Sequence, residues 1–494
     1  MLLRRTIAVV LALLVALAGC SRADQQPTSV NTGPGAADRP NMVFVLTDDL
    51  SMNLLQYMPQ VQKLAKDGAS FANYSVTDSL CCPSRSSIFT GKFPHNTGVF
   101  TNGGDDGGFK TFHKRENEDS TFATALQKAG YHTAMMGKYL NGYQPDGTVD
   151  GQDNYVPPGW DDWFVAGDGY KEYNYTLNTN HELDKHGKEP SDYLTDVVAG
   201  KARDVITSSA DAGKPFFVEV ATFAPHGPYT PAPQDKDKFP GLTAPRDASY
   251  DKLPANAPPW LAKHPALTPK QQKALDAAFR KRAQAVQAVD RMVGSLRETL
   301  EKEGVANNTV VVFSSDNGYH LGEHRLTAGK QTAFETDIHV PLVMTGPGIK
   351  AGSTVQQPAQ NIDLAPTFET LAGLTPAKDV DGRSLTSLFG GTAPNDWRTT
   401  SLVEHHGPDT DPTDPDHPQK GSGNPTTYEA LRTATTTYVE YSDGTVEYYD
   451  RSKDPLQLNN TASALPTAQR AALHAKLMAL KACKGEAACW KAAG

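Results

Sequence analysis

Four apolar runs in this chain break off at residues able to bind ions or move protons. MVFVL at 42–46 runs into Thr47-Asp48-Asp49, TAMM at 133–136 into Gly137-Lys138, FFVEVA at 216–221 into Ala224-Pro225-His226, and VVVF at 310–313 into Ser315-Asp316-Asn317-Gly318. A fifth reactive stretch, DSLCCPSRSSIFTGKFPHNTG at 78–98, sets two adjacent thiols, Cys81 and Cys82, ahead of Arg85 and Lys92. Carboxylates and an amide carbonyl make an all-oxygen set suited to a hard divalent cation such as Ca²⁺. Arginine and lysine offset anionic charge as it develops, and histidine exchanges protons near neutrality. Polar residues after strands are often no more than turn formers or helix caps. The cysteine pair lacks further Cys or His at ligand spacing, which argues against a structural zinc site.

Short, continuous apolar runs are expected of strands buried on both faces. Helical patterns separate them. The clearest opens at Thr268 as N-cap with Pro269 in the first position, keeps Leu275, Phe279, Val286, Val289, Val293, Leu296 and Leu300 at helical spacing, and meets a stop at Gly304. This alternation predicts an α/β fold, a largely parallel sheet covered by helices on both faces. Ligands bind such sheets beyond the carboxyl ends of the strands, so the four polar strand ends are expected to converge on one edge. From about residue 396 the pattern changes. An Asp-, Pro-, His- and Gly-rich stretch at 408–425 reads as an exposed loop, followed by strand patterns at 428–432, 438–441 and 446–450, a hairpin turn at 442–445 and a helix over most of 466–482. No internal repeat is visible.

The chain has 494 residues, and 47 Lys+Arg against 56 Asp+Glu give a formal charge of −9, unlike a protein that binds nucleic acid through phosphate contacts. With 38% hydrophobic and 21% charged residues it is neither an integral membrane bundle nor a wholly disordered chain. Its length fits a large domain over 40–395 with a smaller α+β subdomain over 396–494. Arg4 and Arg5 precede an apolar run at 7–18 that is too short to span a bilayer comfortably, the layout of a secretory signal over 1–19. It ends in Leu17-Ala18-Gly19-Cys20, which resembles a bacterial lipobox and implies a lipid on Cys20; an ordinary signal peptide cut nearby is the alternative. Residues 20–39 read as a flexible tether, and the remainder is expected to fold outside the cytoplasm. There Cys483 and Cys489 become candidate disulfide partners.

Cys81-x-Pro83-Ser84-Arg85, followed by Thr90-Gly91-Lys92, resembles the signature of type I sulfatases, whose motif cysteine is oxidised to formylglycine. Only Cys81 has proline at +2 and arginine at +4, so the resemblance assigns the modification to it. It also implies an alkaline-phosphatase-like fold. Asp48 and Asp49 resemble the family's first metal-binding pair and Asp316 and Asn317 the second, around one Ca²⁺ with residue 81 as a further ligand. Lys138 in Gly-Lys-Tyr, His226 in Ala-Pro-His and Lys330 in Gly-Lys-Gln resemble its sulfate-binding and leaving-group residues, beside Arg85. Many members carry histidine two residues after that first lysine; here Leu140 and Asn141 stand there, which leaves the base that deprotonates the formylglycine hemiacetal open. GKYLN at 137–141, CCPSRSS at 81–87 and APHGP at 224–228 resemble the subgroup acting on glucosamine 6-sulfates, heparan 6-O-endosulfatases included. Lys92, Asn141, and His320 and His324 in GYHLGEH are further candidates for the pocket.

The resemblance implies a two-step hydrolysis. The aldehyde at position 81 is hydrated, one hydroxyl attacks sulfur, His226 or Lys330 protonates the departing oxygen, and the second hydroxyl then expels sulfate. The cation with Arg85, Lys92, Lys138 and Lys330 would offset the transition-state charge. The partners implied are a sulfated carbohydrate or aryl sulfate, a formylglycine-generating enzyme during maturation, and a membrane reached only through the lipid. Two other readings stay open at this level: a phosphonate or phosphate monoester hydrolase of the same superfamily, and an inactive lipoprotein that binds sulfated glycans.

Overall fold

The four apolar runs become neighbouring strands at the centre of one sheet. In the computed structural model, which describes residues 39–494, they are β1 (Asn41–Thr47), β3 (His132–Lys138), β7 (Phe216–Ala221) and β8 (Thr309–Ser315). The signal segment, Cys20 and the tether up to residue 38 lie outside the described residues. The sheet is completed by β2 (Ala69–Ser75), β4 (Asp162–Ala166), β5 (Thr176–Thr179), β6 (Glu182–Lys185), β9 (Leu342–Thr345) and β10 (Ser353–Gln360), in the order β10-β2-β9-β8-β1-β7-β3-β4-β5-β6. From β8 through β4 every pair is parallel, with Val45 of β1 opposite Val220 on one side and Phe313 on the other. The flanks depart from the parallel expectation: β9 runs antiparallel to β8 and β2, and β4, β5 and β6 form an antiparallel meander.

Alternate residues of these strands enter two different cores, which is why both faces had to be apolar. Met42, Phe44, Phe217 and Met135 pack with Ile88, Phe89, Phe122 and Phe368. Val43, Val45, Val218 and Val220 pack with Val198, Phe279, Val286 and Val289 on the opposite face. The helix Pro269–Lys302 on that second face begins as the sequence predicts, with Thr268 and Gln271 forming a reciprocal capping box, and Gly304 follows its end at a φ of 73°.

The C-terminal portion forms a separate antiparallel sheet, β11 (Thr400–His405), β12 (Tyr428–Thr433), β13 (Thr436–Tyr441) and β14 (Val446–Asp450), covered by the helix Thr467–Lys481. β11 and the last helix, Glu486–Ala493, carry no clear sequence signal and emerge only here. Gln360 at the end of β10 donates to the Leu402 carbonyl at 2.7 Å, joining the two sheets. Cys483 and Cys489 are bonded, as their spacing allowed, and this closes the link between the last two helices. No helix among the described residues is long and apolar enough to cross a membrane. Replacing both cysteines by serine is expected to remove about 2 kcal/mol, the loop-closure entropy of so short a ring. A lower thermal midpoint with unaltered turnover in the double variant is the expected outcome, and an unchanged midpoint would show the bond to be dispensable.

Candidate active site

Because β8, β1, β7 and β3 are adjacent and parallel, Asp316, Asp48 and Asp49, His226 and Lys138 all leave the sheet at the same edge. Two backbone features fix their exit. Asp49 turns out of β1 with a left-handed φ of 64°. Gly137 has a φ of 95°, and a Cβ there would stand 1.9 Å from the Ala221 carbonyl oxygen, so only glycine lets β3 reach the end of β7 and deliver Lys138. Above this edge starts the helix Cys81–Thr90, with Leu80 as N-cap and all ten residues buried. It points its first residue at the carboxylates and carries its far end away. Lys92 consequently does not reach the site: it pairs with Asp379 at 2.5 Å, beyond the turn at Gly91. The expectation that Lys92 shares in charge stabilisation is therefore corrected by the direction of the helix.

The Cys81 thiol lies at the centre of a charge lattice. It donates to Asp48 Oδ1 at 3.1 Å and accepts from Lys330 Nζ at 2.8 Å. Lys138 Nζ holds the other oxygen of Asp48 at 2.6 Å, and Lys330 also holds Asp49 Oδ1 at 2.6 Å. Arg85 Nε donates to Asp316 Oδ2 at 2.8 Å while its Nη1 caps the Lys138 carbonyl at 2.9 Å. Asn317 gives its amide to Asp49 Oδ1 at 2.7 Å and leaves its own Oδ1 buried with no partner. Ligand atoms of Asp48, Asp49, Cys81 and Asp316 all lie within 4.8 Å of one another.

Burial and charge oppose one another throughout. Burial raises Asp48 above the usual carboxylate range despite Lys138. Burial would raise Asp316 as well, but Arg85, Lys138 and Lys330 outweigh it and hold this carboxyl low. Burial disfavours the charged forms of Lys138 and Lys330, yet the surrounding carboxylates keep both well above the ordinary lysine value. His226 is desolvated too, but Asp49, Asp48 and Asp416 push it up to about 9. Its Nε2 lies 2.7 Å from Asp416 Oδ1.

Beside this lattice lies a cavity of about 510 Å³ lined by Lys138, Asn141, Tyr170, His226 and Asp414 among others. Asn141 has a buried Oδ1 without a partner, and Tyr170 places its ring 5.0 Å from Lys138 Nζ. Leu140, two residues after Lys138, is buried in the core. His320 and His324 do not line the cavity. His320 bridges Asp337 at 2.9 Å and the Ser422 carbonyl at 2.8 Å, and His324 stacks on Phe334 and bonds the Leu456 carbonyl. Three residues of the site were not singled out from the sequence. Asn102 accepts the Cys82 N–H and donates to Asp416, and Asp416 itself arrives from the 408–425 loop. Arg282, on the long helix, ties the carbonyls of Asp49 and Pro225 together. It had a signal, since it interrupts the apolar stripe at a position in register with Phe279 and Val286.

Residues 40–374 match the family Sulfatase, and residues 322–483 match the family described as N-sulphoglucosamine sulphohydrolase, C-terminal. The human N-acetylglucosamine-6-sulfatase is 37% identical over 477 residues, which cover 90% of this chain and 85% of that protein. The chain belongs to the sulfatase family. It is a sulfuric ester hydrolase, and the set of buried carboxylates around Cys81 suits the divalent cation typical of that family. An N-acetylglucosamine-6-O-sulfatase of Bacteroides thetaiotaomicron is 27% identical over 521 residues, covering 90% of this sulfatase and 85% of its length. A solved structure described as bound to its substrate D-glucosamine-2-N,6-O-disulfate superposes with a TM-score of 0.74 at 24% identity, covering 89% of this chain and 97% of that one. A phosphonate monoester hydrolase of Agrobacterium radiobacter gives 0.70 at 20%, covering 90% and 96%. These two likenesses bear on fold alone, the alkaline-phosphatase-like arrangement implied by the sequence motifs.

Gly137→Ala tests whether the close strand approach sets the site. The displaced Lys138 is expected to lower kcat for an aryl sulfate by about a hundredfold, the cost of misplacing a reacting group by ~1 Å. A variant with the kinetics of the parent would show that Lys138 is positioned by other means.

Proposed function

We propose that this sulfatase removes 6-O-sulfate from glucosamine or N-acetylglucosamine units, with residue 81 as a formylglycine and one Ca²⁺ at the strand edge. The observation that carries the reading is the position of Cys81, with its sulfur between Asp48 and Lys330 at 3.1 and 2.8 Å and the partnerless oxygen of Asn317 in the same buried cluster. Asp48, Asp49, Asp316 and Asn317 would hold the cation, an all-oxygen set suited to Ca²⁺. The cation would supply Lewis-acid stabilisation of charge on the ester oxygens, and the hydrated aldehyde a nucleophilic hydroxyl.

The chain's own residues do the rest. Asp48, Asp49, Asp316 and Asp416 face Arg85, Lys138, Lys330 and His226, four carboxylates against four cationic side chains. A divalent ion added to that balance leaves a net positive centre, which favours an anionic ester. Lys138 and Lys330 would hold its sulfonate oxygens. His226 would hand the Nε2 proton to the sugar oxygen as it leaves. Asn141 and Tyr170 would meet the sugar in the adjoining cavity. The N-acetylglucosamine-6-sulfatases among the relatives and the GKYLN, CCPSRSS and APHGP motifs support the 6-sulfated glucosamine unit.

The reading also places the protein outside the cytoplasm on a lipid at Cys20, supported by the Cys483–Cys489 bond and by the order of basic, apolar and small residues at the N-terminus. Cys20→Ala in the full chain is expected to move the protein from the membrane fraction to the soluble one, and persistence in the membrane would refute the anchor.

Cys81→Ala is expected to abolish hydrolysis of aryl and glucosamine 6-sulfates while the thermal midpoint stays near that of the parent. Peptide mass analysis of protein matured with its formylglycine-generating enzyme should show the aldehyde at position 81; an intact thiol in an active preparation would refute the mechanism. Chelation should remove activity and Ca²⁺ restore it. A clear preference for matched aryl phosphates over aryl sulfates would reassign the substrate to a phosphorus ester.

A further inference from the structure

Between β11 and β12 the chain makes a long excursion whose base is closed twice. Thr427 N–H donates to the Gly407 carbonyl at 3.1 Å, and Asp409 and Asn424 exchange hydrogen bonds at 2.8 and 2.7 Å. Such a closed, self-bonded excursion has the form of an Ω-loop. Its tip is mostly exposed at Asp411, Pro412, Thr413 and Pro415, and much of its bonding is internal, Asp411 to Thr413 and Asp414 to Asp416.

Asp416 is the exception. Its side chain is 3% exposed, and both oxygens are spent on the active site. Oδ1 accepts from His226 Nε2 at 2.7 Å and Lys330 Nζ at 2.8 Å; Oδ2 accepts from Asn102 at 2.8 Å and lies 3.4 Å from Cys81 Sγ. The other fastenings of the tip to the body of the enzyme are weaker, Asn102 to Asp414 at 3.1 Å and Gln331 to the Asp416 carbonyl at 3.2 Å. The loop also divides the space over the site. Pro415 and His226 line both the 510 Å³ cavity and a second one of about 210 Å³ that contains Asp49, Tyr319, Lys330 and Asp416.

We propose that residues 408–419 are a strap, and that the Asp416 carboxylate occupies the place of the substrate's sulfate group until the substrate displaces it. The inference rests on the reading of Lys330 as a sulfate-binding group and of His226 as the donor to the ester's leaving oxygen. Two anions cannot both take the donors of His226 and Lys330 in a site withdrawn from water, since their mutual repulsion is little screened there. A sulfate ester therefore binds only the fraction of enzyme in which the strap has lifted, and its apparent affinity is reduced by that fraction. Release costs little elsewhere, because the base of the loop holds without the tip. It also joins the two cavities, which already share Pro415 and His226, into one groove.

The test compares the Ca²⁺-loaded, matured enzyme with Asp416→Asn and Asp416→Ala, using an aryl sulfate as substrate and inorganic sulfate as competitive inhibitor. Both the inhibition constant for sulfate and KM are expected to fall about tenfold or more, as a competing anion is removed. Values unchanged or raised would overturn the strap and mark Asp416 as a group that supports bound substrate. In the parent enzyme, hydrogen exchange in peptides covering 409–419 should quicken when sulfate is added, and indifference to sulfate would likewise overturn it. Lys330→Ala separates the two levels. A raised inhibition constant is expected; if sulfate binds Lys330→Ala as tightly as the parent, the anion-site reading fails and the strap with it, whereas a raised constant with unmoved Asp416 variants defeats the strap alone.

Discussion

The ion pair between Arg85 and Asp316 is wholly withdrawn from water, with both side chains at 0% exposure, and it is the joint between the helix that carries Cys81 and the sheet edge that carries the carboxylates. A buried pair of this kind adds little net stability when intact, but removing one partner strands the other and costs roughly 3–5 kcal/mol. Arg85 goes further by capping the carbonyl of Lys138, so one guanidinium aligns the ends of β8 and β3 with the first turn of the helix. On the other side of the sheet Arg282 performs the matching task for β1 and β7 by gathering the carbonyls of Asp49 and Pro225. Reacting groups are thus set by two arginines that need not touch substrate.

Between these clamps, desolvation and pairing are nearly in balance. Carboxylates packed this closely would repel one another and take up protons if left alone, and lysines this deeply buried would lose theirs. Asp316, Asp416, Lys138 and Lys330 are held in their charged forms by groups of opposite sign, which makes the lattice hard to alter one residue at a time.

The parts legible in the sequence share a physical cause. Strands buried on both faces must be apolar throughout, so β1, β3, β7 and β8 announce themselves, and polar residues at their ends stand out by contrast. The capping box at Thr268 and Gln271 is equally local. Lys92 misled because nearness in sequence to Cys81 suggests nearness in space, whereas a helix of ten residues carries its end about 15 Å away. Asn102 and Asp416 had no such signal, for each sits in irregular chain whose position depends on closure against distant elements. Flanking strands such as β5 and β6, short and partly polar, lack the continuous apolar run by which buried strands are read.

The ladder between β11 and β12 ends with His405 opposite Tyr428, immediately before the excursion begins. Nothing beyond that rung is needed to keep the strands in register, and the sheet edge that holds the carboxylates belongs to another sheet altogether. Insertions, deletions or rewritten residues at the exposed tip, 411–413, therefore change the roof of the site without shifting its floor, so long as Asp416 keeps its partners. In evolutionary terms the two are inherited separately: a lineage could exchange one sulfated sugar for another by editing a single surface loop, while the chemistry beneath it passed on unaltered.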